Sequence, residues 1–182
     1  MKLLIASDLH GSAYYCEKLM ERIQAEQPDR ILLLGDLLYH GPRNDLPREY
    51  DPKRVIAMLN AHKDRIIAVR GNCEAEVDQM VLEFPVMADY TTLLLDNNKL
   101  LFATHGHLFS PDHLPSLPAG SAFVFGHLHV KHTHWQEDTL ILNPGSLSIP
   151  KDGSNSYMTY ENGVFTTREM DGTPITSIAF EQ

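Results

Sequence analysis

Five short stretches of this 182-residue chain combine acidic, amide or imidazole side chains with glycine: D-L-H-G (8–11), G-D (35–36), G-N-C-E (71–74), T-H-G-H (104–107) and G-H-L-H (126–129). They supply Asp8, His10, Asp36, Asn72, His105, His127 and His129. Carboxylate, imidazole and amide oxygen together suit Mn, Fe, Zn or Co, and the lack of a cysteine cluster argues against a structural zinc site. Seven such side chains are too many for one ion with an open position. They suit two ions about 3.5–4 Å apart that share a carboxylate, and Asp36, alone at its position, is the natural bridge. In extended backbone, residues two apart point to the same side. Asp8 with His10, and His127 with His129, are therefore each expected to offer a pair of ligands.

The elements that must position them are legible as apolar runs. Residues 2–7, 30–35 and 65–70 read as strands buried on both faces. Between them, Ser12 caps a helix with the stripe Cys16, Leu19, Met20 and Ile23, and Asp51-Pro52 opens another with Val55, Ile56 and Leu59. Alternation of strand and helix implies right-handed crossovers and a parallel sheet. Residues 92–104 read as a hairpin around D-N-N, 121–126 as a further buried strand, and the chain beyond His132 as strand-rich. The expectation is a single domain over 1–182, an α/β fold with two packed sheets, the second half of the chain supplying the second sheet. The polar stretches all follow strands, at the carboxyl edge where parallel sheets bind ligands.

Each piece has a plainer reading. A lone Asp after a strand is a cap or turn, G-N-C-E and N-P-G-S (143–146) are turns, and His40, His62, His113, His132 and His134 read as solvated or hydrogen-bonded histidines. The joint occurrence at successive strand ends favours a site.

Composition narrows the classes further. A net charge of -9 with no run of Lys or Arg argues against long nucleic acid as a partner. The N-terminus carries too short an apolar run for a signal peptide or a membrane span. Cys16 and Cys73 form no C-x-x-C, which fits a reducing cytoplasm.

The ordered set D-x-H, G-D, G-N, H-G-H and G-H-x-H, from Asp8 to about Ser146, resembles the calcineurin-like metallophosphoesterases. D-L-H-G-S, G-D-L-L-Y-H-G-P-R-N, R-G-N-C-E-A-E-V-D-Q-M, T-H-G-H-L-F and N-P-G-S-L-S-I-P-K are similar, within that family, to the YfcE-type bacterial phosphodiesterases. The resemblance implies a four-layer α/β/β/α sandwich, two facing mixed sheets flanked by helices. It implies one ion on Asp8, His10, Asp36 and His129 and a second on Asp36, Asn72, His105 and His127. Mn²⁺ is the first expectation, with Zn²⁺, Fe²⁺, Co²⁺ or Ni²⁺ as alternatives. The implied activity is hydrolysis of a small phosphodiester by a hydroxide bridging the two ions. A phosphomonoesterase is the alternative, as is a non-catalytic scaffold, since a eukaryotic retromer subunit has this fold. The resemblance also suggests a homo-oligomer. Where many relatives carry G-N-H-[DE], this chain has Cys73, a weak donor that cannot replace an imidazolium. Cys73 either fills space beside the ions or has a chemical role. Arg43 and Asn44 either bind a substrate phosphate or shape their loop, guanidinium being the better phosphate ligand. His107 is placed around the ligands rather than among them.

Overall fold

The computed structural model describes residues 1–96 and 98–180. Strands β1 (Lys2–Ala6), β2 (Arg30–Leu33) and β3 (Ile66–Ala68) are joined through helices α1 (Ala13–Glu26) and α2 (Pro52–Asn60). The three strands pair in parallel, as expected of the alternating pattern. The Ser12 hydroxyl accepts from the Tyr15 N–H, and the Asp51 carboxylate accepts from the Arg54 N–H, so both caps work as their sequence signals suggest. A short helix α3 (Glu76–Val81) follows the third strand.

The chain then builds a second sheet from β4 (Tyr90–Leu94), β5 (Leu100–Thr104), β6 (Ala122–Val124), β7 (Lys131–Gln136) and β8 (Thr139–Pro144), in the order β4-β5-β6-β8-β7. The β4–β5 hairpin is present, and Asn97 of its D-N-N turn lies outside the described residues. The expectation that the second half stays in this sheet is not met. Strands β9 (Ser156–Glu161), β10 (Val164–Glu169) and β11 (Pro174–Ala179) return to the first sheet, giving the order β11-β10-β9-β1-β2-β3. The free edge of β1, with its unpaired N–H and C=O groups, is taken up by antiparallel β9, itself buried along all but its last residue.

Alternation along β1 divides its side chains between two layers. Leu4 and Ala6 face α1 and α2, with Cys16, Leu19, Ile23, Val55 and Leu59. Leu3 and Ile5 enter the layer between the sheets, where Leu32, Met158 and Phe165 meet Leu101, Val124, Leu140 and Leu142. On the far face of the second sheet, Phe102, Phe123, Phe125 and Ile141 are covered by Phe109, Leu114 and Leu117, from a segment without a helix. Both sheets thus share one apolar layer. Their parallel strands β1, β2, β3, β5, β6 and β8 deliver their carboxyl ends to a common edge.

Leu101→Ala, in the shared layer, is expected to lower unfolding free energy by about 2–5 kcal/mol. Leu94→Ala, exposed on the edge strand, is expected to change it by less than about 0.5 kcal/mol. Urea unfolding of the two variants measures the difference.

Candidate metal centre

The loops after these strands reach the edge in unusual backbone. Asp8, His10, Asp36, His127 and His129 all have positive φ, between 50° and 64°. The D-x-H and H-x-H side chains do reach the site, but not by the extended backbone that their spacing implied. Left-handed residues turn each chain sharply, and the two histidines of G-H-L-H go to different partners. Such backbone costs a non-glycine residue about 1–2 kcal/mol, and hydrogen bonds between loops hold it. The His10 N–H donates to Asp36 O at 2.8 Å, the Asp8 N–H to Gly35 O at 3.2 Å, and the Gly126 N–H to His105 O at 2.7 Å. The His127 N–H donates to Asp8 Oδ2 at 3.0 Å, which joins the two sheets at the site itself. Two glycines permit the crowding. A Cβ on Gly71 would lie 2.1 Å from Asp36 Oδ1, and one on Gly126 would lie 2.8 Å from Asp8 Oδ2.

The seven side chains meet in two overlapping groups. In the first, His129 Nε2 lies 3.2 Å and His10 Nε2 3.7 Å from Asp8 Oδ1, and the two nitrogens are 3.3 Å apart. In the second, His105 Nε2 lies 3.1 Å from Asn72 Oδ1 and 3.2 Å from His127 Nδ1. Asp36 Oδ2 belongs to both, 3.7 Å from His10 Nε2 and 3.5 Å from His105 Nε2.

These groups fit a cation because of where the ring protons are. His10 Nδ1 is 2.9 Å from Tyr39 O, His105 Nδ1 2.7 Å from Leu34 O, and His129 Nδ1 2.8 Å from Ile149 O. A carbonyl only accepts, so each Nδ1 carries the proton and each neutral ring turns a bare Nε2 inward. Lone pairs of nitrogen and carboxylate oxygen then confront one another, and buried Asp8 Oδ1 receives no hydrogen bond. Without an ion, only protons relieve this. Burial depresses His105, but the Asp36 and Asp8 carboxylates outweigh it and raise the group to about 9. Burial likewise opposes ionisation of Asp8, yet His10 and His129 hold it well below the usual carboxylate range.

Cys73 sits at the wall of the same cavity. Its N–H donates to Asp36 Oδ1 at 2.9 Å, and its sulfur accepts from Asn72 Nδ2 at 3.3 Å, turning the Asn72 oxygen towards His105. Burial and the adjacent Asp36 push its thiol up, which keeps it neutral. Arg43 and Asn44 line the cavity with Cys73. The Asn44 amide donates to His40 O at 2.8 Å, so that side chain shapes its own loop. His107 stands beside the rings of His105 and His127 at 5.4 and 6.4 Å between centroids.

The sequence reading passed over three contributors. Glu74, in the quoted G-N-C-E, is buried and accepts the backbone N–H groups of Asp36 at 2.8 Å, Leu37 at 2.7 Å and Gly71. Its signal was a lone acid within a turn motif, which carries little information without the fold. Ser146 and Ser148 of N-P-G-S-L-S both donate their hydroxyls to Asp8 O, at 2.9 and 3.0 Å.

The profile described as Calcineurin-like phosphoesterase superfamily domain matches residues 1–163. The chain is 44% identical over 167 residues to Phosphodiesterase YfcE of Escherichia coli (strain K12), covering 91% of this chain and 90% of that protein. The solved structure of the E. coli phosphoesterase YfcE superposes with a TM-score of 0.97 at 42% identity, over 100% of both chains. Vps29 of Entamoeba histolytica, in complex with Zn²⁺, superposes at a TM-score of 0.62 and 16% identity over 100% of both chains, a likeness of fold alone.

Two outcomes test the cage. A divalent cation such as Mn²⁺, added to chelator-treated protein, is expected to raise the melting temperature, a bound ion contributing about 2.7 kcal/mol at a hundredfold excess over its Kd. Asp36→Asn is expected to remove most of that gain, and an undiminished shift would contradict the shared-carboxylate arrangement. Glu74→Gln turns an amide against backbone N–H groups and is expected to cost about 1–3 kcal/mol in urea unfolding. Exposed Glu76→Gln serves as the control.

Proposed function

Because the chain belongs to the calcineurin-like phosphoesterase superfamily, we propose that it hydrolyses small phosphodiesters at a centre of two divalent ions, Mn²⁺ first among them. One ion is assigned to Asp8, His10, Asp36 and His129, the other to Asp36, Asn72, His105 and His127. The observation that carries this reading is the place of Asp36 Oδ2, within 3.7 Å of His10 Nε2 and 3.5 Å of His105 Nε2. When bound, the ions supply Lewis-acid polarisation of the phosphoryl oxygens and an acidified water as nucleophile.

The chain's own contribution is positioning and electrostatics. The carbonyls of Tyr39, Leu34 and Ile149 fix three rings so that no ligand has to rotate when substrate arrives. Glu74 and the Cys73 N–H hold Asp36 from its backbone and from its Oδ1, leaving Oδ2 facing inward. Asn72 adds an oxygen without adding charge, which leaves the centre cationic enough for an anionic diester. Arg43 lies on the cavity wall, within the substrate's reach, and Asn44 holds the loop that presents it.

Cys73 is a poor acid for a departing alkoxide, since burial and the adjacent Asp36 push its thiol up rather than down. Diesters with good leaving groups are therefore the preferred substrates. The same geometry weighs against the non-catalytic scaffold, for all seven positions hold competent ligands in mutual register. We place the protein in the cytoplasm, where its two unpaired thiols remain reduced.

Metal-stripped protein is expected to be inactive on bis(p-nitrophenyl) phosphate and to recover on addition of Mn²⁺, with weaker turnover of p-nitrophenyl phosphate. Asp36→Asn and Asn72→Ala are expected to lose about 100-fold or more, since even residues behind metal ligands cost about 10–100-fold. Steady-state kinetics measures this. Full activity in either variant at unchanged metal content would sink the assignment.

A further inference from the structure

Among the described residues, three of the fifteen Lys and Arg side chains make no hydrogen bond, ion pair or ring contact: Arg43, Lys53 and Lys151. In a chain with 24 carboxylates, unpaired cations are the exception. Two of the three line the same cavity, of about 570 Å³, that opens over Asp36, Asn72, His127 and His129.

Both cations stand on loops held by hydrogen bonds. The Lys151 N–H donates to His129 O at 2.9 Å, and His129 Nδ1 is bound by Ile149 O, so the lysine's loop is bolted to a metal-ligand loop. Its neighbour Asp152, the nearest acid in sequence, is taken by Lys131 through both backbone and side chain at 2.7 Å, which leaves Lys151 without a competing partner. Arg43 stands in a turn closed by Asn44 N–H to Gly41 O at 3.2 Å and by the Asn44 amide to His40 O.

Charge favours an occupant beyond the scissile group. With two divalent ions bound as proposed, Asp8, Asp36 and Glu74 would leave one positive charge, which a diester monoanion would neutralise. Arg43 and Lys151 then remain, and a deprotonated nucleophile offsets only one of them. A diester alone does not use both cations.

We propose that Arg43 and Lys151 form a second anion site on the cavity wall, which receives a phosphomonoester group carried on the substrate beside the scissile diester. A guanidinium fork with an ammonium point charge suits the three terminal oxygens of such a group. This rests on the diesterase reading and narrows it, from any small diester to one bearing a terminal phosphate.

The test compares two chromogenic diesters that differ only in that group: thymidine 5′-(p-nitrophenyl phosphate) and its 3′-phosphate derivative. Wild-type protein loaded with Mn²⁺ is expected to prefer the 3′-phosphorylated diester by about tenfold in kcat/KM, the worth of one charge-assisted contact. Arg43→Gln and Lys151→Gln are each expected to remove most of that preference, and Lys53→Gln to leave it intact. Raising salt is expected to erode it. Calorimetric titration gives a readout besides turnover: thymidine 3′,5′-bisphosphate is expected to bind more tightly than thymidine 5′-phosphate, and Lys151→Gln to abolish the difference. No preference in the wild type, or equal losses on both diesters in the two variants, would overturn the proposal, because the cations would then serve only the scissile phosphate. Absence of turnover on both diesters would count against the diesterase reading, while the calorimetric difference would still decide this one.

Discussion

The constraint on which the site depends is the confrontation of acceptors at the sheet edge. Backbone carbonyls of Tyr39, Leu34 and Ile149 claim the Nδ1 protons of His10, His105 and His129, and what remains inside is a ring of bare nitrogens and carboxylate oxygens. No rearrangement of neutral side chains satisfies such a ring. It requires positive charge, from protons or from metal ions, and the rest of the edge is arranged to keep it from relaxing. Five residues there hold left-handed backbone, and each strained loop is tied to another loop rather than to its own strand.

Those ties explain why the fold needs two sheets for one site. Asp8 follows β1 and is held by the His127 N–H after β6 and by two serine hydroxyls after β8. Asp36 follows β2 and is held by Cys73 and Glu74 after β3. The apolar layer of Ile5, Leu32, Val124 and Leu142 fixes the sheets against each other, and the edge loops inherit that rigidity. A site assembled from six strand ends has little freedom to lose when substrate binds.

The sequence disclosed the candidate ligand residues that the fold brings together, but not the means of placing them. Asp8, His10, Asp36, Asn72, His105, His127 and His129 were legible because chemistry restricts residue type at those positions. The D-x-H spacing suggested the right neighbours for the wrong reason, since φ is positive where extended backbone was inferred. The carbonyls that orient the rings belong to Tyr39, Leu34 and Ile149, and any residue offers a carbonyl, so no side chain betrays them. Glu74 was visible only as one more acid, and its value comes from three N–H groups that the fold alone brings together. The return of β9, β10 and β11 to the first sheet was hidden for a related reason. Period-two alternation identifies a strand but not the edge it joins, and β1 had an edge to fill.

The proposal that most needs a direct test is that Asp36, placed within reach of both groups of side chains, would be shared between two ions. Anomalous scattering from crystals of the protein grown with Mn²⁺ tests it directly. Two peaks about 3.5–4 Å apart, one on each side of Asp36, are the result this account predicts. A single peak, or two that leave Asp36 in the shell of only one ion, would contradict it.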